Sequence, residues 1–418
     1  MYPPKLGTAT VLAAALFLAA SVLGQAAAPP VPAEDVTAVA RGNTAFALDL
    51  YGRLRSREGN LFLSPYSIST ALAMTRAGAG GETASQMDDV LHFTLMQDRL
   101  HSAFGALQNE VRGAAGESCE ISVANALWGQ RGYDFRKGFI KLVGENYGGG
   151  LRTVDFMRDG EGARKTINDW VESETREKIK DLIQPGVLTP LTRLVLTNAI
   201  YFKGDWASQF DKRNTREENF TLRGHGPVRS AVERIKTPMM HQTADFGYTE
   251  TDAFQALEMP YAGDRLTMVV FLPKQEETLG GLERTLTAEN LSAWLKMLRK
   301  QKVFVALPKF TMTVKFQLAE TLKAMGMTDA FRLPPADFSG MIERAEKELF
   351  ISHVIHKAFV DVHEEGTEAA AATGVVMELK SAPTRPLVFR ADHPFVFIIR
   401  DTRTDSILFM GRVMDPRK

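Results

Sequence analysis

The stretch that most constrains this chain is Glu364 to Gly374, EEGTEAAAATG. Two acids and a glycine lead into a run in which Thr367, Ala369, Ala371 and Thr373 occupy alternate positions, and all four are small. A surface helix is one reading, since alanine is the best helix former. It fits poorly between the strand-like Ala358–Val362 and a polar, proline-containing loop, Lys380 to Pro386. Read as a strand, the run has one face of small side chains. Such a strand can slide into a gap in an existing sheet without overpacking the core beneath it.

Composition permits this. Of 418 residues, 44% are hydrophobic and 24% charged, which excludes disordered, collagen-like and disulfide-rich classes. Lys+Arg and Asp+Glu are both 50, so net charge gives no reason to expect nucleic-acid binding. Cys119, the only cysteine, has no partner for an internal disulfide. At the N-terminus, Lys5 precedes an apolar run, Val11 to Leu23, and then Gly24-Gln25-Ala26-Ala27-Ala28. A basic start, a short apolar stretch and small residues read as a secretory signal peptide with cleavage near 24–28. A membrane-spanning helix needs about 20 apolar residues. Export is therefore expected, with residues 29–418 as one domain and no membrane anchor.

The first half reads mainly as helices: Asp35 to about Arg55, one opened by Ser64-Pro65 and stopped at Gly78–Gly81, one from near Glu82, and one over Gln97 to Val111. Strand patterns follow at Ile121–Trp128 and at Thr192 to Lys203, the latter apolar enough to be buried on both faces. The second half gives strands at Gln255–Pro260, Leu266–Leu272, Val303–Phe310, Ala358–Val362, Phe395–Arg400 and Ile407–Val413, with helices near Glu289–Lys300 and Gln317–Met325. The class is α+β with large, mostly antiparallel sheets.

Enzyme signatures are missing. There is no G-x-S-x-G elbow or P-loop, and His363-Glu364-Glu365-Gly366-Thr367 lacks the second histidine of H-E-x-x-H. Gly78-x-Gly80-Gly81 reads as a helix end rather than a dinucleotide fingerprint. His353-x-x-His356 would need further ligands to hold a metal, and a hydrogen-bonded structural role is expected instead. No cofactor is expected.

Four blocks, in order, carry a family resemblance: NLFLSPYSISTALAMTRAGAGGETASQM (60–87), LTNAIYFKGDW (196–206), FVDVHEEGTEAAA (359–371) and DHPFVFIIRDTRTDSILFMGRVMDP (392–416). The chain resembles the serpins over essentially its whole length after the signal segment. The resemblance implies the serpin fold: an N-terminal helical region, three β-sheets and a mobile reactive-centre loop at about 364–386. Glu364, Glu365, Gly366, Thr367, Glu368, Ala369, Ala370, Ala371, Ala372 and Thr373 match the hinge of inhibitory members at every position. Ser64, Ser67, Asn198 and His356 match the shutter cluster under the main sheet. Trp206 matches the breach tryptophan and Lys309 the lysine that pairs with the first hinge acid.

The scissile bond implied by the family lies after the seventeenth residue counted from Glu364, which is Lys380, followed by Ser381. Leu379 and Arg385 are weaker candidates. The resemblance implies a suicide inhibitor of trypsin-like serine proteases, a monomer, consumed rather than catalytic. A non-inhibitory serpin working as a binding or carrier module is the alternative, and a bulky or charged residue at Thr367 or Ala369 would have favoured it. Heparin-type activation is not expected, because Gln97 to Arg112 carries only Arg99 and Arg112 against Asp98 and Glu110. Asn219 and Asn290 open glycosylation sequons.

Overall fold

The computed structural model describes residues 30–114, 119–148, 150–222, 233–274, 279–343, 349–367 and 386–418. The N-terminal segment 1–28, hinge residues Glu368 to Thr373, and Leu379, Lys380, Ser381 and Arg385 lie outside them. The chain separates into residues 1–30 and a compact unit, Val31–Lys418.

Local signals place the early helices as expected. Ala33–Leu54 carries Glu34 and Asp35 in its first turn, where they complement the helix dipole. Pro65–Arg76 starts with proline at its first position, and Ser64 caps it by accepting a hydrogen bond from the Ser67 N–H. Every residue from Pro65 to Thr75 is buried, so this helix runs through the core rather than along it. Gly81–Leu91 and Gln97–Ala114 complete the group. Two helices that the pattern reading missed, Lys137–Tyr147 and Gly160–Glu174, lie beyond the first long strand.

Among the described residues the strands form two hydrogen-bonded networks. The main sheet has the order Phe310–Gln317, Ile351–Val362, Leu194–Asp205, Cys119–Gln130, Leu151–Val154, with the two-residue strand Gly366–Thr367 wedged at one end between the second and third. The other network has nine strands and falls into two parts joined by one long strand, Glu233–Glu250. That strand pairs with Phe254–Pro260 through Gly247–Glu250 and with Arg299–Pro308 through Met239–Tyr248. The three expected sheets are therefore present, two of them continuous through a shared strand.

Leu194–Asp205 is buried on both faces, as its composition requires. One face meets the main core; the other, with Val195 and Ala199, packs under Gly160–Glu174 through Ile167 and Val171. The stretch expected as one strand, Val303–Phe310, is divided at Pro308. Arg299–Pro308 belongs to the nine-stranded network and Phe310–Gln317 to the main sheet, which puts Lys309 at the crossing. The helix expected over Glu289–Lys300 is Ala288–Met297, because Arg299 already pairs with Tyr248 in the next strand.

Candidate functional site

The hinge enters the main sheet at its upper end. Ile351–Val362 runs up the sheet and turns back at His363–Glu365, so that Gly366 and Thr367 lie antiparallel to both neighbours. Thr367 pairs with Val362 on one side and Gly204 on the other, and Gly366 faces Asp205. Below this point Ile351–Val362 and Leu194–Asp205 pair directly, in parallel, from Ile351/Leu194 to Phe359/Tyr201. Thr367 has no solvent exposure, and its hydroxyl lies 3.0 Å from that of Tyr261. In the sequence Thr367 is the first of the four small residues at alternate positions, the face expected to pass under the sheet. It is already there.

Gly366 is required at its position. Its φ is +158°, and a Cβ would sit 2.1 Å from the Gly204 carbonyl oxygen and 2.6 Å from the Asp205 Cα, both backbone atoms that cannot move aside. Gly366→Ala should therefore unseat the hinge. Trp206 is the reporter, since its N–H donates to the Glu365 carbonyl at 2.9 Å and its indole N–H to the His363 carbonyl at 3.0 Å. It also stacks on Tyr261 at 4.5 Å between centroids. The variant should show red-shifted tryptophan emission; an unchanged spectrum would mean the hinge stays in place.

Charge clamps the turn. Lys309 Nζ lies 2.9 Å from Glu364 Oε2, and the Thr215 hydroxyl donates to Oε1 at 2.7 Å. Burial pushes the Glu364 carboxyl up, but the bonds from Lys309 and Thr215 outweigh it and hold the group below the usual glutamate range. Glu365 pairs with Lys212 at 2.5 Å. The side chain of Glu364 is 4% exposed, so the Lys309 pair is not the solvated surface bridge that would contribute only about 0–1 kcal/mol.

A polar cluster lies deeper under the sheet. Register sets His356 beside Asn198 and Asn198 beside Asn125 on three adjacent strands. Asn198 donates to the Ser67 hydroxyl at 2.6 Å and also to Asn125 Oδ1, while Ser67 donates to Asn125 at 3.1 Å. The Ser64 N–H donates to His356 Nε2 at 3.2 Å, leaving Nδ1 as the donor toward Asn198 Oδ1. The Ser64 hydroxyl donates to the Leu408 carbonyl at 2.7 Å. Asn125 was missed in the sequence; its only signal was an amide inside an apolar strand. No acid touches His356 in this network, so a Ser-His hydrolase site is not assembled here. His353 is separate, half-buried on the same strand.

Burial drives the His356 pKa down to about 3 and that of buried His101 down to about 4. Both are neutral in the native protein, whereas in the unfolded chain they take up a proton below about pH 6.5. Stability present above that pH is lost as pH falls through the window from about 6.5 to about 4, at about 1.4 kcal/mol per unit for each histidine. Melting temperature should fall steeply over that range, and more gently in His101→Gln. Equal slopes in wild type and variant would remove His101 from the account.

The family model for serpins, serine protease inhibitors, matches residues 41–416. The chain belongs to the serpin family. It is 44% identical over 375 residues to an uncharacterized serpin-like protein of Thermococcus kodakarensis, covering 89% of this chain and 84% of that one. It is 42% identical over 383 residues to the leukocyte elastase inhibitor of Bos taurus, covering 90% and 98%. The crystal structure of uncleaved ovalbumin superposes with a TM-score of 0.80 at 29% identity, covering 91% of this chain and all of that one.

As a serpin the protein belongs to a family of protease inhibitors rather than enzymes. Cys119 stands in register with Gly204 at the hinge end of the sheet. Burial, and after it the charge of Asp205, pushes its thiol up to about 12, so it is no nucleophile. On the fourth helix Arg99 is taken up by Asp35, while Arg112 is exposed. Asn219 and Asn290 are both exposed.

Proposed function

We propose that this serpin is a secreted suicide inhibitor of trypsin-like serine proteases, with Lys380–Ser381 as the bait bond. The observation that carries the reading is the hinge, seated at Gly366–Thr367 between two strands that pair with each other below it. Continuing that register down the sheet would set Ala369 between Phe202 and Val360, Ala371 between Ile200 and Ala358, and Thr373 between Asn198 and His356. All six neighbours are buried, and the four apolar ones belong to the main core. The small face of the hinge therefore matches the face of the sheet under which it must pass. Thr373 would arrive where Asn198 and His356 now bond, so the cluster that ties the two strands must open to admit it.

The target supplies the catalytic serine. Lys380 enters a pocket with an acid at its base, as in trypsin-type enzymes. Attack on its carbonyl gives an acyl-enzyme and frees Ser381. The loop then continues the insertion that Thr367 has begun, carrying the tethered protease over about 13 residues at ~3.3 Å each, roughly 43 Å. One parallel ladder is exchanged for two antiparallel ones, a net gain on the order of ten backbone bonds at about 1 kcal/mol each. The whole stability of an ordinary domain, about 5–15 kcal/mol, is of the same size.

A panel of serine proteases read on denaturing gels tests the proposal. Trypsin-like enzymes should give a complex that survives boiling in detergent, and the released fragment should begin at Ser381. A fragment beginning elsewhere moves the bait bond, and the absence of a complex with any serine protease favours the carrier reading. Secretion is tested by the N-terminus of the exported protein, expected between residues 25 and 29.

A further inference from the structure

Two lysines oppose each other on the main sheet. Lys315 of Phe310–Gln317 and Lys357 of Ile351–Val362 are direct partners in an antiparallel ladder. Opposed residues share one face of the sheet with Cβ atoms about 4.5–5.5 Å apart, and like charges so placed destabilise the pairing. The face is the one that carries Gly160–Glu174, since Ile355 and Phe359, on either side of Lys357, pack with Ile167 and Val171. Both lysines are half-buried. The linker of residues 175–193 crosses this face. Lys357 Nζ donates to the Lys180 carbonyl at 2.6 Å, and His353 bonds to the backbone of Val187.

The two amines are not equivalent. Lys357 is engaged by the linker, whereas Lys315 makes no hydrogen bond or ion pair among the described residues. No bonded counter-ion relieves the pair. Asp181 of the linker acts on both lysines but is exposed, and among the described residues it bonds to neither. Lys180 beside it is paired with Glu172 at 2.7 Å. Burial, and after it the charge of Lys357, holds the Lys315 amine below the ordinary lysine range, and burial does the same to Lys357. Desolvation and a neighbouring cation are the two conditions that make a lysine a nucleophile.

We propose that Lys315 takes up carbon dioxide as a carbamate, with Lys357 as the cation that holds the product. The lone pair of the neutral amine forms a bond to the carbon of carbon dioxide, one C–O π pair moves onto oxygen, and the nitrogen gives its proton to solvent. A neutral amine and carbon dioxide become a carbamate anion and a proton, with no oxidant or reductant. The anion stands opposite the Lys357 ammonium, so a repulsion across the ladder becomes an ion pair. Carbon dioxide is small and uncharged, which suits a half-buried site. Its adduct carries the charge that Lys357 lacks, whereas an acyl group would leave a neutral amide. The site needs no protease and stands apart from the inhibitory reading.

The test equilibrates the full-length protein with isotopically labelled bicarbonate at mildly alkaline pH. Carbamates are then fixed by ethylation with triethyloxonium ion and located by digestion and mass spectrometry. Lys315 should carry the labelled adduct at roughly tenfold or more the level on the exposed lysines Lys296 and Lys300. Lys357→Gln should bring Lys315 down to the level of those exposed lysines, while Lys357→Arg, which keeps a cation, should hold it up. An adduct on Lys315 no greater than on the exposed lysines, one placed chiefly on Lys357, or equal levels in the two variants overturns the proposal. The comparison within wild type decides the site even if a variant misfolds, because Lys296 and Lys300 are read in the same digest.

Discussion

Thr367→Arg should convert the inhibitor into a substrate. Thr367 is wholly buried between Gly204 and Val362, with its hydroxyl on that of Tyr261. An arginine there would place a long charged group in a slot closed by Phe202 and the Trp206–Tyr261 stack. An unpaired buried charge costs several kcal/mol, and each ~1.4 kcal/mol is a factor of ten in rate. Seating of the hinge is lost, and insertion slows by about a hundredfold or more. Attack on Lys380, thirteen residues away, keeps its rate. Hydrolysis of the acyl-enzyme then wins, and the protease leaves active from a serpin cut at the same bond. Glu368→Arg is the control. In the continued register Glu368 falls beside Lys203 and Asp361, on the opposite face, so that variant should inhibit almost normally. Equal inhibition by both variants, or equal loss, would end the alternating-face account of insertion.

Nicking the loop between Gly374 and Lys380 with a protease that is not a target should raise the melting temperature by tens of degrees. A nick ordinarily loosens a protein, so the sign alone is informative. Once free, the segment after Thr367 can fill the line between Ile351–Val362 and Leu194–Asp205, which now pair directly with each other there. The gain of on the order of ten backbone bonds at ~1 kcal/mol each, at roughly 2–4 °C per kcal/mol in a large domain, gives about 20–40 °C. An unchanged or lower melting temperature would show that the loop does not enter the sheet. The Thr367→Arg protein, nicked in the same way, should gain much less, because its strand cannot start.

Period and punctuation were enough for the elements whose burial is one-sided or complete. Ser64-Pro65 marked its helix because a cap and a proline act within one turn, and Thr192 to Lys203 marked a two-sided strand because nearly every residue is apolar. Glu233–Glu250 was not legible. Its exposed and buried residues alternate only in places, and Pro238 interrupts it, since the strand serves two sheets and changes neighbours along its length. Gly160–Glu174 was not legible because its few buried residues, such as Ile167, are spaced among many charged ones.

For the site, the hinge composition determined by itself that the segment, as a strand, has one face of small side chains, since side-chain size at alternate positions is a local property. Tertiary structure alone decided how far that strand has already gone. The seating of Thr367 depends not only on nearby Val362 but on Gly204 and Tyr261, which come from distant parts of the chain. Asn125 joined the polar cluster for the same reason: only strand register, set by the pairing of Cys119–Gln130 with Leu194–Asp205, puts it opposite Asn198. Residue type and spacing fix what a segment is able to do; which partners it meets is fixed by contacts between segments far apart in sequence, and no local pattern encodes those.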